Sequence, residues 1–197
     1  MRLRLFGCEI YISFFFCAII TLMLATDRTG LALPSLFSVI MHEIGHLFAM
    51  WVLDCAPKSI RLIPASVQVT RGISDRYIND VLIALAGPIF NLVLFGTLYY
   101  NYLAFGNRTV LIYSMINLII AAFNLLPVNG LDGGTVLFSF IARKGDLNRA
   151  MLTLRIITAV LAATFFILAV TLTVRGKVNL TFYIIAVYLF MGVLLKM

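Results

Sequence analysis

Six apolar stretches follow one another along the chain, at about 7–25, 31–53, 79–104, 109–126, 150–174 and 178–196. Each is long enough to cross a hydrocarbon layer about 30 Å thick as a helix. In lipid every backbone polar group must be satisfied by the protein itself, so a chain built from such runs crosses as helices. The sequence therefore predicts an all-α polytopic membrane protein with about six transmembrane helices. Composition excludes the alternatives: 62% of the 197 residues are hydrophobic and 12% are charged, too little polar surface for a water-soluble domain and too little charge for disorder. No internal repeat or linker composition breaks the chain, so a single membrane-embedded domain over 1–197 is expected.

The net charge of +7 would suggest a nucleic-acid partner in a soluble protein. Here the basic residues are scattered between apolar runs, which fits positive-inside anchoring and no nucleic acid. A cytoplasmic amino terminus places Arg2, Arg4, Lys58, Arg61, Arg71, Arg76, Arg143, Lys144, Arg149, Arg155 and Lys196 inside, against Arg28, Arg108, Arg175 and Lys177 outside. Both termini of this multi-pass chain are thus expected on the cytoplasmic side of the cell membrane. The first apolar stretch exceeds the roughly 7–15 residue core of a secretory signal and is expected to be a retained anchor. Cys8, Cys17 and Cys55 show no paired spacing and support neither a disulfide framework nor a thiolate metal site.

Two segments between the spans are more than tethers. The stretch IRLIPASVQVT is rich in β-branched residues and broken by Pro64, which reads as a short β-hairpin or re-entrant segment near 59–71, or as a surface loop. The segment PVNGLDGG ends a helix, and the TVLFSFIAR that follows is too short to span and suits the membrane interface.

The only two histidines of the chain fall in one pentapeptide, His42-Glu43-Ile44-Gly45-His46. Residues four apart share a helix face, so both imidazoles can reach one metal ion while Glu43 borders the same face and can hold a water against it. The pentapeptide lies within the second apolar stretch, where an ionisable side chain costs about 2.5–3.5 kcal/mol or more. A role as interhelical glue would suit a lone histidine but not three such groups at ligand spacing. Catalytic zinc usually takes three protein ligands. Most acids lie at span ends or beside basic residues in loops, which leaves Asp132 as the best third ligand, although an Asp-Gly pair alone would be a turn. Ala86-Gly87-Pro88-Ile89-Phe90-Asn91, within the third stretch, suits close helix packing and a kink. It could equally turn Asn91 toward a cavity, to hold an extended peptide or an oxyanion.

With HEIGH at 42–46, AGPIFN at 86–91 and NLLPVNGLDGG at 124–134, the chain resembles the site-2 protease family of intramembrane zinc metalloproteases, most closely its compact bacterial branch that includes the stage IV sporulation protease. The resemblance implies a catalytic core over about 31–134, with flanking spans at 7–25, 150–174 and 178–196. It implies one Zn2+ per chain held by His42, His46 and Asp132, and Glu43 as general base. It also implies that Asn91 and Asn124 help to place a substrate strand, and that the loop before the third span supplies an edge for it. The expected activity is hydrolysis of a peptide bond in or near the transmembrane segment of a membrane-protein substrate. The lipid bilayer is a partner, with a regulatory membrane protein or a second copy as further partners. No room is expected for the extra regulatory domain of some relatives. A membrane metal-ion transporter and a catalytically inactive scaffold of the same fold are the competing readings.

Overall fold

The computed structural model describes residues 2–5, 8–55, 57–63, 66–71, 77–143, 145–176 and 180–194. Strands β1 (Arg2–Leu5) and β2 (Cys8–Ile12) precede helices α1 (Phe14–Thr26) and α2 (Ala32–Val52). Strands β3 (Pro57–Ile63) and β4 (Ser66–Arg71) follow, then α3 (Tyr77–Phe105), α4 (Arg108–Asn124), α5 (Asp132–Ala142), α6 (Leu147–Val174) and α7 (Leu180–Leu194). Two compact units are formed, residues 1–123 and 124–197.

In the first unit the four strands form one sheet in the order β1-β2-β3-β4. The outer pairs are antiparallel and the central pair, β2 with β3, is parallel with Ile10 opposite Ile60. Parallel neighbours need a long crossover, and here it consists of α1 and α2. The strands expected near 59–71 are β3 and β4, while Pro64 and Ala65 at their junction lie outside the described residues.

The apolar stretch expected as a helix over 7–25 is divided instead, with residues 8–12 in β2 and the helix starting only at Phe14. An unbroken apolar run carries no period that separates strand from helix. Here Glu9-Ile10-Tyr11-Ile12 finds hydrogen-bonding neighbours on both sides, in β1 and β3, and so becomes a strand.

Three helices, α2, α3 and α6, are long and apolar enough to cross a membrane, and α1, α4, α5 and α7 are shorter. The large apolar side chains point outward: Phe14 is 80% exposed, Trp51 75% and Val174 82%. Such a surface suits lipid rather than water. The buried positions are filled largely by small residues, among them Ala84 and Ala121 in the first unit and Ala150, Ala162, Ala169 and Ala186 in the second. Small residues let helix backbones approach closely where lipid leaves no hydrophobic drive to pack.

Outside the helices, Asp27 organises the turn from α1 to α2. Its carboxylate accepts from the backbone N–H of Ala32 (2.9 Å), the hydroxyl of Thr29 (2.8 Å) and the N–H groups of Thr29 (2.8 Å) and Gly30 (3.0 Å). These bonds, the Ala32 one foremost, hold the carboxyl below its ordinary value of 3.8.

Candidate metal centre

One turn of α2 carries His42, Glu43 and His46. His42 is only 4% exposed, and Glu43 and His46 are half-buried. The two rings meet edge to face, and their Nε2 atoms stand 3.1 Å apart.

The outer nitrogen of each ring is committed. His46 Nδ1 lies 2.7 Å from the carbonyl oxygen of Ile83 on α3, a group that can only accept, so the proton is on Nδ1. Pro88 interrupts the helical hydrogen-bond ladder close by, since it has no N–H to offer Ala84. His42 Nδ1 lies 2.7 Å from Oδ1 of Asn91. The Asn91 amide cannot be turned the other way, because its Nδ2 donates to the Ser38 carbonyl at 3.0 Å and to Asn117 Oδ1 at 2.9 Å. His42 is therefore also protonated at Nδ1.

Both Nε2 atoms thus present lone pairs to each other, an arrangement that repels unless a positive charge lies between them. Two Zn–N bonds of about 2.0–2.1 Å at the tetrahedral angle separate their nitrogens by roughly 3.3 Å, close to the spacing found. The donor set fits zinc.

Glycines make the approach possible. A Cβ on Gly87 of α3 would stand 2.8 Å from His42 Nε2 and 2.6 Å from His46 Cε1. One on Gly45 would stand 2.8 Å from the Ala86 carbonyl oxygen. The AGPIFN segment therefore does two things, bringing α3 against the histidine face and supplying the amide that orients His42.

Asn91 is completely buried, and its amide is used in full by His42, Ser38 and Asn117. It faces the His42 ring, which offers its Oδ1 a donor in a fully buried position. Asn117 is a further member of the site that the sequence reading passed over. It is an amide inside the apolar run of α4, costly there unless satisfied.

Asp132 is the first residue of α5 and half-buried. The preceding turn is closed by a bond from the Leu131 N–H to the Val128 carbonyl (3.1 Å), with Gly130 at φ +98° where a side chain would be strained. The Asn129 N–H donates to Thr158 Oγ1 of α6 at 3.1 Å, which ties down the same turn. Asn124, half-buried, is the last residue of α4. His42 and His46 belong to the first unit and Asp132 to the second, and each carries a side chain of the kind that binds zinc.

The profile of Peptidase family M50 matches residues 105–171, a segment that holds Asn124 and Asp132. That segment is about a third of the chain. In fold this chain is similar to the solved site-2 protease from Methanocaldococcus jannaschii, with a TM-score of 0.72, 98% of this chain and 93% of that one covered, and 19% identity. A zinc metalloprotease of the same organism is 24% identical over 147 residues, 69% of this chain and 43% of its own length. A candidate zinc metalloprotease of Synechocystis sp. is 33% identical over 122 residues, 58% of this chain and 32% of its own. The chain therefore spans less than half the length of these curated relatives.

Proposed function

We propose that this chain is an intramembrane zinc metalloprotease, which hydrolyses a peptide bond in or near the transmembrane segment of a membrane-protein substrate. The observation that carries the reading is the pair of Nδ1-anchored imidazoles, Nε2 to Nε2 at 3.1 Å, with Glu43 between them in sequence on an apolar helix. His42, His46 and Asp132 are the residues that would hold the ion. Zinc in such a site supplies Lewis acidity, which acidifies water and polarises a carbonyl group. Glu43 takes the proton of the attacking water and returns it to the leaving amine.

A transmembrane helix hides its peptide bonds in its own hydrogen bonds, so the substrate must unwind locally. Strand β4 is an outer strand of the sheet and can take the unwound segment by strand addition. Asn124 helps to place that segment. Six crossings, by α1, α2, α3, α4, α6 and α7, with both termini cytoplasmic, complete a single membrane-embedded domain with its core at 31–134. The return of the chain from β2 through α1 and α2 to a parallel β3 supports this topology, since it groups the basic residues near both strands on one side.

Glu43→Gln is the test. It is expected to keep zinc at one ion per chain and to slow cleavage by about 10²–10⁴-fold, the usual worth of a positioned acid–base group. In cells, a comparison of membrane proteomes should find a single-span protein that accumulates uncleaved only in the mutant. Full cleavage by Glu43→Gln, or zinc flux into proteoliposomes by the unmutated chain, would sink the reading.

A further inference from the structure

We propose that Asn117 of α4 is a positioning residue for the zinc ligand His42, acting through Asn91. The inference rests on His42 being a ligand and goes beyond it, because Asn117 touches neither histidine in this arrangement and lies in a motif-free part of the chain.

The argument follows the hydrogens. Asn117 is 3% exposed, and its Nδ2 donates to the Tyr113 carbonyl of its own helix at 2.9 Å. A carbonyl can only accept, so the Asn117 amide is fixed with Oδ1 toward Asn91. Oδ1 accepts one Nδ2 hydrogen of Asn91, and the Ser38 carbonyl on α2 accepts the other. Those two acceptors fix Asn91 with its own Oδ1 toward His42, and that oxygen holds the His42 proton on Nδ1. A chain of three polar side chains from α4, α3 and α2 thus ends in a lone pair on His42 Nε2, the form a metal ion requires.

The competing arrangement is a flipped Asn91 amide. It would turn Nδ2 toward His42, pull the imidazole proton to Nε2 and block metal binding there. In the native site the flip sets the Asn91 oxygen against two other oxygens, those of Ser38 and Asn117. Removing the Asn117 oxygen halves that opposition. Partners of this kind that orient a metal-binding histidine typically change metal affinity by about 10–100-fold when lost. One step further away, Asn117 is expected to contribute about 3–10-fold by the same mechanism.

Asn117→Leu, with the same branching of heavy atoms and no polar ones, tests this in the full chain in detergent micelles. The first readout is zinc affinity by competition with a chelator, expected to weaken about 3–10-fold. The second is the imidazole Nδ1–H resonance in zinc-loaded protein labelled with 15N-histidine. The chain has only two histidines, so only two such signals arise. The His42 signal is expected to move and exchange faster with water. The His46 signal, held by the Ile83 carbonyl, should stay in place.

Wild-type affinity with an unmoved His42 signal overturns the proposal. Equal movement of both signals also overturns it, since that marks a packing role. If Asn117→Leu cannot be recovered folded, Asn117→Ala removes the amide without adding bulk and is judged by the same outcomes. A wild-type chain that binds no zinc would instead overturn the metal-centre reading beneath the proposal, so the two failures are distinguishable.

Discussion

His42 and Asp132 are held by opposite means. His42 sits in the middle of a regular helix, where the backbone has no freedom left to aim a side chain. Its ring is aimed by other side chains, Asn91 of α3 directly and Asn117 of α4 behind it. Asp132 stands at the start of α5, and there the backbone does the aiming. Gly130 at φ +98° turns the chain, Leu131 is extended at φ −106° and ψ 165°, and the helix begins on Asp132 itself. The positive end of the helix dipole there favours a carboxylate. Gly134 then lets the turn pack inward, since a Cβ there would collide with the Val128 carbonyl. A side chain aimed from inside a helix is therefore vulnerable to loss of polar partners, and one aimed from a helix start to loss of glycines.

The largest expected effect breaks the simple form of that contrast. Gly87→Ala changes no polar partner of His42, yet its Cβ would stand 2.8 Å from Nε2 of that ring. It should abolish stoichiometric zinc, measured by elemental analysis of purified protein, and cleavage should fall to background. Retained zinc would mean that α3 can draw back from the histidine face without loss of the metal site.

Asn91→Leu comes next and sharpens the contrast. It should weaken zinc binding by about 10–100-fold in chelator competition. It should also lower thermal stability, because a buried hydrogen-bonding group left without its partner costs about 1–3 kcal/mol.

Gly130→Ala should do the reverse. A side chain forced to positive φ costs about 1–2 kcal/mol, so the melting temperature should drop while zinc affinity of the folded protein changes by less than for Asn91→Leu. Equal losses of affinity would erase the distinction between the two ligands.

The smallest effect is expected at the exposed turn of Asp27, where bonds from backbone and Thr29 lower the carboxyl pKa in the folded state. Its contribution is present above 3.8 and is lost as pH falls through the lower folded value. Asp27→Asn should therefore reduce stability slightly at neutral pH and flatten the acid limb of a pH–stability curve.

The histidine pair was legible because helical periodicity alone puts residues 42 and 46 on one face. The turn before Asp132 was legible from its glycines. The direction of the Asn91 amide was not, since a position on a helix says nothing about which neighbour an amide will face. Asn117 was within reach of the reasoning that singled out Asn91: both are amides in apolar helices, and each demands a partner. The two joined in space, 26 positions apart in sequence, are visible only once α3 and α4 are packed. The amino-terminal strands escaped for another reason, that an apolar run reads alike as strand or helix until a pairing neighbour appears.

The parallel pairing of β2 with β3 also bears on how the protein is made. Strand β2 leaves the ribosome first but cannot gain its parallel partner until α1 and α2 have both been threaded and the chain has come back to where it started. Closing the sheet thus reports that the helix bearing the histidines has been inserted in the right sense. A chain whose second helix failed to turn back would leave β2 without β3, an open edge able to pair with other chains.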